Sequence, residues 1–399
     1  MKHIHNKSTV KNAPPAWINC LSKEIDLWLK TLETDYGPGC YRFANNSSVF
    51  TADKTKGLGI TCLVLKTLYI LGLTRNFDEK TKNLWINRIK SFRTDWGRQS
   101  GFFEDTELLQ VLDRRKSRYL ASIRIDKYIR NKPLFKFADT AVRFTDRVFP
   151  LLEKDIQARR AETRQAIVSL MILGSQPDKP ITNIPNTAKT VQEFILSLPW
   201  ETPYGAGSHA GHLLVFHYIN QTILGSTNQS NLINVITEEL DKIRNTTIGL
   251  WHKSNPPPRQ IVNGTMKIAA AYKFCNIPLP NPKSIIDYCL KASNEDQGCD
   301  NADITFALHQ ANQFTSYRED EIKQFALDRI SIVKKFKFEN EGFAFSLTKP
   351  RRSYYGVQMT TGAELEADIH GTFLYCWTLS MLTDILGWRE KLGWQIPLT

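Results

Sequence analysis

Histidine, lysine, amide and carboxylate side chains recur at the predicted starts of four apolar helices. They are His209 and His212, then Asn263 and Lys267, then Asp300 and Asp303, and last Glu366, Asp368 and His370. Carboxyl and imidazole groups can transfer protons, and an ammonium group can bind an anion. Polar groups in a buried place cost free energy unless they are paired or serve a purpose. Their convergence from four helices predicts one site at the mouth of a cavity.

Roles can be assigned to these residues as hypotheses. The catalytic candidates are Asp300, Asp303, His209, His370 and Asp368. The substrate-binding candidates are His212, Asn263, Lys267, Tyr354, Tyr355 and Glu366, the two tyrosines lying in a long loop that could form a rim or lid.

Each candidate also has a structural explanation. Asp368 and Asn263 could cap helices, and Asp300 with Asp303 could complement a helix dipole. A histidine pair at i and i+3 is more often a pair of core histidines than a metal site. Lys267 is the hardest to explain structurally, because a lysine between Met266 and Ile268 must extend to solvent or meet an anion.

Five glycines at a near-regular spacing indicate the elements that position these groups. They are Gly101, Gly205, Gly249, Gly298 and Gly342, each shortly before an apolar stretch. Their spacing is roughly 45 to 50 residues, or about twice that for the first gap, which is typical of stacked helical hairpins. The repeat therefore predicts an all-α chain.

Hydrophobic patterns alternate along the chain in the same way. Helices with a charged face are predicted at Val191 to Leu198, Asn231 to Arg244, Asn281 to Ala292 and Glu319 to Lys335. Helices that are apolar nearly all round are predicted between them, at His209 to Ile223, Asn263 to Phe274, Asp303 to Ala311 and Asp368 to Leu386. Outer and inner helices in repeated hairpins favour an α/α toroid of about six hairpins, with an open solenoid as the alternative.

The organisation of the remaining chain follows from composition. Residues 1–14 are polar and predict a flexible N-terminus, and residues 15–399 predict one toroid domain. Further helices are predicted at Trp17 to Glu33, Gly57 to Leu73, Phe77 to Phe92 and throughout 117–175. The Pro-rich stretch 176–189 predicts a linker between two halves, and no series of strands is visible.

Bulk composition limits the class of protein. A hydrophobic content of 42% is ample for a core, and the net charge of +12 suits an anionic partner. The basic residues are scattered and match no nucleic-acid-binding motif, which argues against nucleic acid as a partner. Seven scattered cysteines predict free thiols and a cytoplasmic location. No apolar run is long enough for a transmembrane helix. Oligomeric state cannot be inferred.

The repeated glycine turns and the last unit resemble the terpenoid cyclase and protein prenyltransferase superfamily of α/α toroids. That unit reads Glu-Gly-Phe-Ala-Phe, then Ala-Asp-Ile-His-Gly-Thr-Phe-Leu-Tyr-Cys-Trp. In prenyltransferases a zinc-binding histidine opens the corresponding aromatic helix, and His370 matches it. The resemblance implies that Cys299 and Asp296 complete a metal site, with zinc or magnesium as the divalent ion.

Several family motifs are absent. The Asp-x-Cys spacing is replaced by Asp296-x-x-Cys299, and neither the Asp-x-Asp-Asp acid nor the Asp-Asp-x-x-Asp metal motif is present. The resemblance therefore bears on the fold more than on the reaction. Three functions remain open: an enzyme acting on an isoprenoid diphosphate or a similar anion, a lyase or hydrolase of acidic glycans, and a non-catalytic toroid that binds a partner.

Overall fold

A computed structural model describes residues 13–47, 50–96, 99–105, 107, 110, 158–225, 231–292, 297–355 and 357–398. The described chain is mostly helical, as predicted. Its extended structure is limited to isolated bridges and two antiparallel two-stranded hairpins, β1 (Arg93–Trp96) with β2 (Gln99–Phe103) and β3 (Ser353–Tyr354) with β4 (Val357–Gln358). Neither hairpin was predicted.

The first half of the described chain contains α1 (Ala16–Leu32), α2 (Leu58–Ile70), a 3₁₀ turn (Leu73–Asn76), α3 (Glu79–Lys90) and α4 (158–172). The second half contains α5 (Ala188–Ser197), α6 (Pro203–Tyr218) with a π-helical turn (Ile219–Ile223), α7 (Leu232–Ile243), α8 (Pro258–Phe274), α9 (Pro282–Lys291), α10 (Gly298–Asn312), α11 (Glu319–Lys334), α12 (Ile369–Ile385) and α13 (Arg389–Leu392). The predicted outer helices agree within a few residues. The inner helices α6, α8 and α10 begin about five residues earlier than predicted.

Local sequence explains where the helices begin. Proline occupies the first position of α6, α8 and α9, where its missing N–H costs no hydrogen bond. The early starts of α6 and α8 were missed because these prolines read as loop residues. At α12, Asp368 is the N-cap and accepts a hydrogen bond from Gly371 N at 2.8 Å.

The helices separate into buried and amphipathic sets. Helices α2, α6, α8, α10 and α12 are buried along most of their length, whereas α7 and α9 bury one face only. In sequence order α6 packs on α8, α8 on α10 and α10 on α12, and α12 also packs on α2. Helix α4 contacts both α2, through Lys66 and Gln165, and α6, through Arg160 and His209.

The repeat glycines do not share one structural position. Gly298 opens α10 and Gly205 lies in the first turn of α6, while Gly249 and Gly342 lie in loops before α8 and α12. Gly101 lies in strand β2 with φ +77°, where a Cβ would be 2.6 Å from the Pro180 carbonyl oxygen. The spacing thus reflects the helical repeat only from residue 205 onward.

Residues 176–187 have no helix or strand, but they are attached to the end of α6. Ile181 N donates to Asn220 Oδ1 and Asn220 Nδ2 donates to Ile181 O, both at 2.8 Å. The side chain of Ile181 is buried. The Pro-rich segment is therefore packed against the helices at this point.

All seven cysteines lie within the described residues, and none of them forms a disulfide. No helix in the described ranges is long and apolar enough to cross a membrane. Residues 1–12 lie outside the described ranges, so the flexibility expected for residues 1–14 stays a prediction.

The contact between α6 and α8 is unusually close because glycines form it. A Cβ on Gly207 would be 2.6 Å from Gly264 O, and one on Gly211 would be 2.9 Å from Lys267 O. A Cβ on Gly264 would be 2.6 Å from Pro203 O. The two backbones touch, so no side chain separates the polar residues of α6 from those of α8.

Gly207→Ala is expected to lower the free energy of unfolding by about 1–3 kcal/mol, because its new methyl group must push two backbones apart. Gly205→Ala is the matched control on the same helix, since nothing lies within 4 Å of its added Cβ. That control is expected to be neutral or to stabilise by up to about 1 kcal/mol. Urea denaturation of both variants measures the difference, and equal effects would contradict the close contact.

Candidate functional site

Lys267 is a cation on an otherwise buried stretch of α8. Its side chain is partly exposed, whereas Met266 and Ile268 on either side are buried. The Lys267 Nζ lies 5.2 Å from the centroid of the Tyr204 ring, at the start of α6. It forms no ion pair with any described residue, so its charge is not neutralised by a neighbouring carboxylate.

Asp303 on α10 is a buried carboxyl group beside this cation. Burial, with a smaller contribution from Asp300 and against the opposing effects of Lys267 and Arg259, raises the pKa of Asp303 to about 7. Its Oδ2 has no hydrogen-bond partner among the described residues. A carboxyl group with a pKa near neutral and an uncommitted oxygen can act as a general acid or base.

Asp300 lies one turn earlier on α10 and already has hydrogen-bond partners. Its Oδ1 accepts a hydrogen bond from Arg259 Nε at 2.7 Å and a long one from Asn263 Nδ2 at 3.5 Å. Arg259 and Asn263 are one turn apart on α8, so this helix face holds the carboxylate. Asp300 thus links α8 to α10 and places Asp303 opposite Lys267.

Cys299 and Tyr204 border the same place and are both half-buried. Burial, with a smaller contribution from Asp303 and against the opposing effects of Lys267 and Arg351, raises the pKa of Cys299 to about 12. Burial also raises the pKa of Tyr204, with contributions from Cys299, Asp303 and Asp300. At neutral pH both groups are protonated and can donate hydrogen bonds.

The predicted metal site is not supported by the described donor set. No group of three or more His, Cys, Asp or Glu residues within the described ranges could hold a metal ion. Asp296 lies outside the described residues, so the set of Cys299, Asp296 and His370 stays a prediction. No step of the chemistry below depends on a metal.

The two histidines of α6 face arginines of α4. Arg160 Nη1 lies 3.1 Å from His209 Nδ1, and burial with this guanidinium lowers the pKa of His209 to about 4. Burial and then Arg164 lower the pKa of His212 well below its ordinary value, and Lys267 contributes to that shift. Both imidazoles are neutral at pH 7 and serve as hydrogen-bonding groups rather than cations.

His370 lies where α12 meets the β3–β4 hairpin. Its ring stacks on Phe345 at 5.1 Å and meets the edge of Tyr354 at 5.2 Å. Burial lowers the pKa of His370, with Arg351 and Lys267 contributing. His370 is thus a neutral ring within the electrostatic range of Lys267.

Tyr354 and Tyr355 form the tip of that hairpin, with ring centroids 4.6 Å apart. Tyr354 is buried, whereas Tyr355 is about one-third exposed. Tyr355 has φ +46°, a left-handed conformation that non-glycine residues rarely adopt. The Tyr355 phenol lies within the electrostatic range of Tyr204, Lys267 and Cys299, so this tyrosine is near the site.

Asp368 and Glu366 hold the backbone instead of facing Lys267. The two oxygens of Asp368 accept hydrogen bonds from Gly371 N and Phe345 N, each at 2.8 Å. Glu366 Oε2 accepts a hydrogen bond from Asn46 N at 2.9 Å. The capping explanation therefore accounts for the position of Asp368, and its catalytic role stays a prediction.

Sequence reasoning missed several residues around the site: Tyr204, Arg259, Arg351, Arg160 and Glu162. Tyr204 belongs to a glycine motif that was noticed for its glycines only. Arg259 precedes Asn263 by four residues, which would have placed it on the same face had α8 been predicted to begin at Pro258. Nothing in the local pattern distinguishes Arg160 or Glu162 within a long helical stretch.

Asp303→Asn is expected to change how stability depends on pH. Because the pKa of Asp303 is raised on folding, the folded chain binds more protons than the unfolded chain between about pH 4 and about pH 7. This group therefore lowers stability as pH rises through that window. The asparagine variant should gain on the order of a few kcal/mol relative to wild type from about pH 4 to about pH 8.

Urea denaturation at several pH values measures this effect, with Asp328→Asn on the exposed face of α11 as the control. The control should follow the wild-type pH dependence. A pH-independent difference between Asp303→Asn and wild type would show that the carboxyl titrates normally.

No family model, curated protein or solved structure matches this chain. The resemblance to the terpenoid cyclase and prenyltransferase superfamily therefore stays an expectation drawn from residues and spacing.

Proposed function

We propose that this protein is an α/α-toroid enzyme that acts on an anionic substrate at the N-terminal half of its inner helices. The toroid arrangement is supported by the packing of α12 on α2, because this contact joins the last inner helix to the first. Helix α4, which contacts both α2 and α6, completes the series. An open solenoid would leave its first and last helices apart.

The observation that carries the enzymatic proposal is the proximity of Lys267 to Asp303. Among the described residues, Lys267 is a cation without a carboxylate partner, and Asp303 is a buried carboxyl with an uncommitted oxygen. A partly buried ammonium without a counter-ion favours the binding of an anion. A carboxyl group that holds its proton near neutral pH can deliver it to a bound substrate.

Distinct roles follow for the residues around this pair. Lys267 binds the anionic group, and Arg351 adds positive charge from the hairpin side. Asp303 acts as the general acid. Asp300 stays paired with Arg259 and positions α10, and Tyr204 can donate a hydrogen bond to the anion.

Aromatic rings deeper in the helices favour an isoprenoid diphosphate over other anions. Phe306 follows Asp303 by three residues on α10, and its ring lies 5.1 Å from that of Trp377 on α12. Phe373 stacks on the same tryptophan at 6.0 Å. Such ring faces stabilise carbocations as well as apolar chains.

The glycan alternative has less support. Glycan-active toroids need exposed aromatic platforms, and the tryptophan side chains that the structure describes are buried apart from the half-buried Trp17. The partner-binding alternative differs from the enzymatic one in a testable way, because it requires neither Lys267 nor Asp303.

Lys267→Met is expected to weaken the binding of inorganic pyrophosphate and of isoprenoid diphosphates at least about tenfold, because the variant lacks the unpaired charge. The thermal midpoint should stay unchanged, since no described ion pair is lost. Isothermal titration calorimetry and thermal denaturation measure the two effects. Lys291→Met, at the exposed end of α9, is the control and should bind normally.

Asp303→Asn completes the test. This variant should keep diphosphate binding and lose conversion of the isoprenoid diphosphate, followed by mass spectrometry. Normal binding by Lys267→Met would refute the anion site, and a lowered midpoint would assign Lys267 to the fold. Binding of an acidic oligosaccharide in place of diphosphates would favour the glycan enzyme.

A further inference from the structure

A narrow pocket with a volume of about 10 Å³, enough for one water-sized group such as an ammonium head, lies between the start of α2, helix α4 and the β3–β4 hairpin. Its described lining includes Glu162, Asp105 and the aromatic rings of Phe50, Tyr354 and Tyr355. The rest of the described lining is glycine or apolar. Two carboxyl groups and three rings in one small space form an environment unlike that around Lys267.

Glu162 is the polar group of this pocket without a partner. Its side chain is about 2% exposed, and its Oε2 has no hydrogen-bond partner among the described residues. No described lysine or arginine forms an ion pair with it. A buried carboxyl with no partner is costly, so a ligand that supplied donors would relieve the cost.

Asp105, the other carboxyl group of the pocket, forms hydrogen bonds to the backbone. Its Oδ2 accepts hydrogen bonds from Gly57 N at 2.5 Å and Leu58 N at 3.0 Å. These are the first N–H groups of α2, which would otherwise attract an anion. With that end of the helix capped by a carboxylate, the pocket favours positive charge.

The glycine in the first turn of α2 lets two side chains of the pocket pack directly against the helix backbone. A Cβ on Gly59 would be 2.4 Å from Tyr354 Cε1 and 2.6 Å from Glu162 Oε1. Both side chains therefore approach the α2 backbone as closely as a glycine permits. One of the three rings already attracts a cation, since Lys56 Nζ lies 5.5 Å from the Phe50 centroid.

We propose that this pocket binds the primary ammonium group of a ligand, which donates a hydrogen bond to Glu162 and contacts the tyrosine rings. Carboxylates and ring faces together are how proteins bind organic cations. The narrow space favours a primary ammonium over a bulky quaternary one. The inference rests on this pocket alone and extends beyond the proposed anion site, which Tyr355 separates from it.

Binding should release a proton. Glu162 faces Asp105, Cys62 of α2, and Tyr354 and Tyr355 of the hairpin, and the cations Lys66 and Arg88 act on the neighbouring Cys62 thiol. Burial, and then Asp105, raise the pKa of Glu162 well above its ordinary value, so the free pocket favours the protonated carboxyl. An ammonium ion would displace that proton, and calorimetry in two buffers of different ionisation enthalpy would detect about one proton per ligand.

The experiment titrates the full chain with n-propylammonium, using n-propanol and tetramethylammonium as comparison probes. We expect the primary amine to bind and the other two to bind at least about tenfold more weakly. Glu162→Gln, which keeps the shape of the side chain, should lose at least about tenfold in affinity for the amine. Glu239→Gln is the matched control, because Glu239 is also about 2% exposed but lies on α7 against Lys242.

A measurement on the wild-type protein guards against a variant that does not fold. Nuclear Overhauser effects should connect the propyl protons with tyrosine and phenylalanine ring protons. Their absence at saturation, equal binding of n-propanol or tetramethylammonium, or normal amine binding by Glu162→Gln would each overturn the proposal. Lys267→Met should bind the amine normally, so this result is independent of the anion site.

Discussion

The contact of α6 with α8 through glycine is the constraint on which the rest of the site depends. Gly207, Gly211 and Gly264 let the two backbones touch, so the polar side chains of one helix lie within reach of the other. Tyr204 thereby meets Lys267, and the charge of Lys267 reaches His212. With a larger side chain in the contact, the helices would separate and this cluster would become two unconnected surfaces.

Burial away from water shifts the pKa values of the side chains that this helix contact brings together. Some surface charges of the described residues form ion pairs, as Arg318 does with Asp287 and Glu321. The inner helices hold groups whose charge is opposed by burial: Asp303 with a raised pKa, and His209 with a lowered one. Lys66 on α2 shows the same effect, since burial lowers its pKa to about 7 while it bonds to Gln165. Such shifts cluster at functional sites, although structural networks also produce them.

The loop between α11 and α12 connects the two proposed binding regions. Its β3–β4 hairpin places Tyr355 near Lys267 on one side and near Glu162 on the other. The positive φ of Tyr355 shows that tertiary contacts, and not local preference, hold this residue in place. Tyr355 thus lies between the Lys267 ammonium on the α8 side and the Glu162 carboxyl on the α2 side.

Sequence alone determined the helical class and most helix positions, because the 3.6-residue apolar pattern and the charged outer faces are local properties. It also indicated that Lys267 needs solvent or an anion, since a cation among apolar residues is unusual on any buried helix. Tertiary structure decided which carboxylates are free. Asp300, Asp303 and Asp368 look alike in sequence, yet one is ion-paired, one caps a helix and only Asp303 keeps an uncommitted oxygen. The sequence did not indicate Glu162 either. Whether a buried carboxyl lacks a hydrogen-bond partner depends on the side chains packed around it and not on the residue itself.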